Sequence, residues 1–167
     1  MKHKVTQKHQ NSRLCFVCGL KNDYGLRAGF YALDNGELVA TFTPDEKHQS
    51  YPGRMHGGIA SAILDETIGR AIMITNPEIW GVTIELNVKF RKPVPYDMEL
   101  KAVGRITNQN KRCFEGTGEL LLPNGEIAVT AWGKYMKMPV EKITDWDDDE
   151  EEWQVVPLKS DPKEIEI

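Results

Sequence analysis

The sequence predicts an α+β domain in which a curved antiparallel sheet wraps around one long central helix. Residues 58–74 are apolar on nearly every face and rich in small side chains, Ala60, Ser61, Ala62, Gly69 and Ala71 among them. Such a run reads as a helix covered on all sides. Almost everything else reads as strand. No strand–helix alternation points to a parallel sheet, and no internal repeat is present. A lone helix without a polar face needs a bent sheet to enclose it.

The elements follow in order. Residues 27–33 and 37–43 are short strand-like runs around Asp34-Asn35-Gly36 and predict a hairpin. A polar loop after Pro44 leads through Gly53 to His56, where the helical run begins; Asn76 and Pro77 stop it. Val82, Ile84, Leu86, Val88 and Phe90 then alternate with Thr83, Glu85, Asn87, Lys89 and Arg91, a strict period of two. Pro93 and Pro95 end that strand. Further strand-like runs occupy 98–107, 112–122 and 127–138, the last two joined by Pro123-Asn124-Gly125.

Composition bounds the function. At 167 residues, 40% hydrophobic and 28% charged, the chain suits one domain with a real core. No apolar run reaches the roughly 20 residues that span a bilayer, and the polar start has no signal-peptide character. Three cysteines do not make a disulfide framework, so a cytoplasmic protein is expected. The net charge of −4 is uneven: residues 145–167 carry ten acids and two lysines, a net −8, which leaves +4 on the rest. A mildly basic core suits a phosphorylated ligand, with no nucleic-acid or membrane partner expected. The run DWDDDEEEW reads as a solvated tail or one ordered against a basic surface. The following WQVVPL could add a strand.

Residues 56–66, HGGIASAILDE, concentrate the chemistry. Gly57 and Gly58 at a helix N-terminus offer unpaired N–H donors at the positive end of the dipole, with no side chain in the way. Ser61, Asp65, Gly69 and Ile72 share one stripe, so Asp65 lies about two turns in, between two small residues. Glu66 has Arg70 four residues on and reads as half of a helical ion pair. Asp65 has no such partner. Cys15-x-x-Cys18 fits a redox pair or half a zinc site, but Cys113, His3, His9 and His48 lack metal-ligand spacing. Gly19, Asn22 and Gly25 explain the segment more simply as a tight turn delivering Leu26 to the first strand.

The HGG-x6-D stretch, with Gly69-Arg70-Ala71 after it, resembles the helix of hotdog-fold acyl-CoA thioesterases of the PaaI-like and THEM type. GVTIELNVKFRKPV at 81–94 is similar to the long strand that follows in that family, and CFVCGLKNDYGL at 15–26 to its opening. The resemblance covers residues 15–138 and implies a hotdog domain there; residues 1–14 read as a polar arm and 139–167 as an acidic tail, which can be cut after Met138 because the strand signals end there. The resemblance also implies hydrolysis of a fatty or aromatic acyl-CoA without metal or cofactor, in homodimers that pair into homotetramers.

In that family's terms Asp65 attacks the thioester or activates water, two roles that stay open. Gly57 N–H, with Gly58 beside it, holds the thioester oxygen. His56 positions the loop, and Thr83 reaches in from across the subunit interface. Ser50 stands where relatives carry Asn or Gln, a gap that water or Gln49 would fill. Ser61 leaves space beside Asp65. Lys89, Arg91 and Lys92 either meet CoA phosphates or form a solvated face. Two other readings remain: a hotdog hydratase or dehydratase using His48 with Asp65, and a non-catalytic acyl-CoA-binding protein.

Overall fold

The computed structural model describes residues 1–145 and 152–167. Eight strands form one antiparallel sheet: β1 (Lys2–Lys8), β2 (Gly29–Leu33), β3 (Leu38–Phe42), β4 (Trp80–Phe90), β5 (Leu100–Gln109), β6 (Cys113–Leu121), β7 (Ile127–Met138) and β8 (Glu164–Glu166). Their spatial order is β4-β7-β6-β5-β3-β2-β1-β8. The helix α1 (Gly57–Arg70) lies across the concave face, and Ala71–Ile74 continue it as a tighter 3-10 turn. The expected curved sheet around a single long helix is therefore what forms.

Helix and sheet are close because glycine lets them be. A Cβ on Gly104 of β5 would stand 2.7 Å from the Thr67 carbonyl oxygen, and one on Gly116 of β6 would stand 2.6 Å from the Ile68 side chain. Larger residues there would push α1 off the sheet. Ile63, Leu64, Ile68 and Ile72 then bury completely against Phe30, Leu38, Leu100, Phe114 and Leu120.

Two expectations change. The polar start, read as an arm, forms β1, which pairs with β2 on one side and β8 on the other. The C-terminal segment covers the convex face: Ile165 buries with Tyr31, Leu33, Val39 and Val103, and Asp161 takes Lys8 Nζ at 2.6 Å and the Tyr31 hydroxyl at 2.8 Å. WQVVPL docks without becoming a strand. Trp153 packs edge-on against Trp80, ring centroids 4.5 Å apart, and Gln154 bridges Asn11. Most of the acidic run, residues 146–151, lies outside the described residues. Glu152 accepts from Ser12 Oγ at 2.8 Å.

The strict alternation expected for β4 is interrupted. Thr83 faces Tyr135 of β7 and Glu85 faces Lys134, which leaves Ile84 without a counterpart and 51% exposed. A bulge of this kind turns the strand and re-aims the side chains beside it.

Candidate active site

The bulge places Thr83 over the middle of α1. Its hydroxyl lies 2.9 and 3.2 Å from the two carboxylate oxygens of Asp65. The Tyr135 hydroxyl, from the neighbouring strand, donates to Asp65 Oδ1 at 3.2 Å and to the Asp65 carbonyl at 3.1 Å. Burial raises the Asp65 pKa above the ordinary aspartate value. The Thr83 and Tyr135 hydrogen bonds work against that rise, and the charge of Glu66 adds to it. The result is a carboxylate of increased basicity held at fixed orientation. Tyr135 itself is pushed up, first by burial and then by Asp65, so it stays a protonated donor.

Beside this carboxylate opens a cleft of about 260 Å³, lined by Gly69, Met73, Trp80, Val82, Ile143 and Trp153 along with Asp65, Glu66 and Arg70. A larger depression of about 540 Å³ lies between β2, β3 and the C-terminal segment, away from Asp65. The smaller cleft is the one with an apolar wall and a basic carboxylate together, the usual make-up of a site for an apolar reactant.

At the start of α1 the two glycines part company. His56 caps the helix, its Nδ1 accepting the Gly58 N–H at 2.8 Å. Gly58, expected as a second free donor, is therefore already paired. Gly57 N–H has no acceptor among the described residues, and the Phe90 ring lies close enough that a Cβ on Gly57 would touch it at 3.2 Å. Ser61 Oγ donates back to the Gly57 carbonyl at 3.0 Å. Ser50 is exposed in the preceding loop, its N–H bound to the Arg54 carbonyl at 2.9 Å, and Gln49 accepts from the Tyr96 hydroxyl at 3.3 Å.

Of the basic residues, Lys89 and Arg91 line a shallow depression of about 300 Å³ on the sheet with Trp132 and Glu119. Lys92 is drawn away into an ion pair with Glu126. Thr83, expected to cross from another subunit, meets Asp65 within one chain, because β4 and α1 of the same protomer pack together. Tyr135 carries no motif signal. Its hydroxyl could be anticipated only by knowing that β7 pairs with β4 opposite Thr83.

Among the described residues, Cys15 Sγ, Cys18 Sγ and a Glu66 carboxylate oxygen lie within 4.8 Å of one another, a spacing that could hold a metal. The Arg70 guanidinium already bonds two of these three groups. It donates to Cys18 Sγ at 3.3 Å and to Glu66 at 2.5 Å.

Known proteins share this architecture. A thioesterase superfamily protein of known crystal structure superposes with a TM-score of 0.66 at 24% identity, over 72% of this chain and 58% of the other. The E. coli PaaI protein from the phenylacetic acid degradation operon superposes with a TM-score of 0.61 at 18% identity, over 68% and 80%. Residues 52–128, from the loop before His56 into β7, match the sequence profile of the thioesterase superfamily. The chain has the hotdog fold of these proteins, and its middle portion is similar in sequence to the thioesterase superfamily. Mouse acyl-coenzyme A thioesterase 13 is 25% identical over 75 residues, which is 45% of this chain and 54% of the mouse protein. This hotdog protein thus spans about half the length of the curated relatives it matches. No helix among its described residues is long and apolar enough to cross a membrane.

Proposed function

We propose that this hotdog protein is an acyl-CoA thioesterase, hydrolysing a fatty or aromatic acyl thioester to free acid and CoA. The observation that carries the reading is the Asp65 carboxylate, raised in basicity by burial and oriented by Thr83 and Tyr135 at the end of an apolar cleft. Such a group can attack the thioester carbon or take a proton from the water that does. Either way the carbonyl oxygen gains charge and needs a donor within about 3 Å.

Gly57 N–H is the unpaired donor, but eight residues of helix put it about 12 Å along the axis from Asp65. One thioester cannot touch both within a chain. We therefore infer a homodimer in which Gly57 of one copy faces Asp65 and Thr83 of the other. The free edge of β4, with Ile84 and Phe90 exposed and Phe90 against Gly57, supports pairing there. Tetramers would stack such dimers. Lys89 and Arg91 would meet CoA phosphates, and the three free cysteines suit a cytoplasmic location.

A hydratase would need an available histidine. His48 is buried with Nδ1 accepting the Asp45 N–H at 3.0 Å and Nε2 2.8 Å from the Tyr24 carbonyl, so it caps a turn. A panel of acyl-CoAs with a thiol reagent tests the proposal. Release of free CoA is expected; loss of enoyl absorbance, or saturable binding without turnover, would overturn it.

A further inference from the structure

The two thiols of Cys15-x-x-Cys18 are joined to α1 by a closed ring of contacts. Cys15 Sγ donates to Glu66 Oε2 at 3.3 Å, Glu66 pairs with Arg70, and Arg70 Nη2 returns to Cys18 Sγ at 3.3 Å. Both cysteines sit on one helical turn, closed by the Gly19 N–H to the Cys15 carbonyl at 2.8 Å. Residues three apart on such a turn have Cβ atoms about 5 to 6 Å apart, within reach of disulfide closure after a small adjustment. Their sulfurs are within 4.8 Å already.

The pair is asymmetric. Cys15 is half-buried, and its sulfur faces the N–H groups of Val17 at 3.4 Å and Cys18 at 3.5 Å. Cys18 is fully buried. We propose that Cys15 and Cys18 form a reversible dithiol–disulfide site for small-molecule disulfides, with Cys15 as the attacking sulfur and Cys18 as the resolving one. The Cys18 thiol, by donating to Cys15 Sγ, holds the Cys15 pKa down against burial and the Glu66 charge. The same bond and burial push Cys18 up. The outer sulfur thus gives up its proton more readily than the inner one, the order that exchange requires.

The steps balance. Cys15 thiolate attacks one sulfur of the disulfide RSSR, an S–S bond breaks, and RS⁻ leaves with a proton from solvent as RSH. Cys18 then gives up its proton and attacks Cys15 Sγ, expelling the second RSH. Two protein thiols have been oxidised and one small disulfide reduced. Closure removes both sulfur contacts from the Glu66–Arg70 pair, one residue from Asp65. Arg70, with Phe30 at 4.2 Å on one side and Gln10 on the other, stays in place to receive the thiols again.

The test equilibrates the full chain with reduced and oxidised glutathione at graded ratios, alkylates what remains free, and reads each peptide by mass. The expected product is a Cys15–Cys18 disulfide that grows with the oxidised fraction and reverses on reduction. Cys18→Ser should retain glutathione on Cys15, whereas Cys15→Ser should take it up at Cys18 at least about tenfold more slowly. The wild-type titration needs no variant to fold. Failure to form the internal disulfide at any ratio, or equal uptake by the two variants, would overturn the proposal. So would one zinc per purified chain by elemental analysis. None of these readings depends on thioester hydrolysis.

Discussion

Thr83 Oγ1 and Asp65 form a hydrogen-bonded pair within one chain, 2.9 Å apart at the nearer carboxylate oxygen, and the β4 bulge is what points the hydroxyl there. Asp65→Asn keeps that contact while removing both nucleophile and base. The variant should fold and lose on the order of 10²- to 10⁴-fold in kcat. It should also melt higher than wild type at neutral pH. Because the folded pKa of Asp65 is raised, folding takes up a proton between the ordinary aspartate value of 3.8 and the raised one. That group's contribution is best below the window and falls as pH rises through it. The stability gap between variant and wild type should therefore close at acid pH, as melting curves across pH would show.

Tyr135→Phe removes a donor that stabilises the Asp65 carboxylate. The Asp65 pKa should rise further, so the acid limb of kcat/KM should move to higher pH, by up to about one unit. A Phe variant with an unmoved acid limb would mean that Tyr135 acts on the backbone carbonyl alone.

His9 was visible in the sequence only as a possible metal ligand in a polar arm. In the fold it is 1% exposed with neither ring nitrogen bonded among the described residues, and burial, with Arg70 adding to it, pulls its pKa down to about 4. A depressed folded value means stability that is present above the unfolded value of about 6.5 and is lost as pH falls from there toward 4. The loss is on the order of 3 kcal/mol. His9→Leu should flatten it in urea midpoints taken across that range.

What could be read in advance follows from period and spacing. The apolar run of α1, the turn at Asp34-Asn35-Gly36 and the HGG-x6-D interval are local, and the fold kept all three. β1 escaped notice because its sequence, KHKVTQK, offers one aliphatic residue, and its partners are β2 and the far C-terminus. The bulge at Ile84 and the Tyr135 hydroxyl escaped for the same reason: both depend on register between strands about fifty residues apart. Glu66 was read as half of a helical ion pair with Arg70, and spacing alone does not tell how far the fold buries that pair. Arg70 is 5% exposed there. Glu66→Gln should thus cost about 1–3 kcal/mol rather than a few tenths, with little effect on rate.

The C-terminal segment changes what truncation should do. A cut after Met138 removes Ile165, Asp161 and Trp153, leaves β1 without β8, and uncovers Tyr31, Leu33, Val39 and Val103. The shortened chain should be poorly soluble or unfolded at moderate temperature. Ile165→Ala, a gentler cut at the same face, should cost about 2–5 kcal/mol in chemical denaturation. A stable, fully active fragment 1–138 would show that the segment only decorates the sheet.

The arrangement of Gly57 and Asp65 can be tested by mixing. Gly57 is the first residue of α1, and His56 before it is extended at φ −64°, ψ 137°, so proline fits at 57 and deletes only the N–H. The Phe90 ring, 57% exposed, has room to yield. Gly57→Pro and Asp65→Asn should each be nearly inactive alone. Mixed in equal amounts, dissociated and reassociated, half of the dimers carry one chain of each kind. If the oxyanion donor and the carboxylate of one site come from different chains, each such dimer has one site with both groups intact and one with neither. Activity should then return to about a quarter of wild type. If both groups of a site belong to one chain, every site in the mixture lacks one of them and nothing returns. Size-exclusion chromatography of the mixture, read beside the rate, separates a failure to exchange subunits from a site built within a single chain.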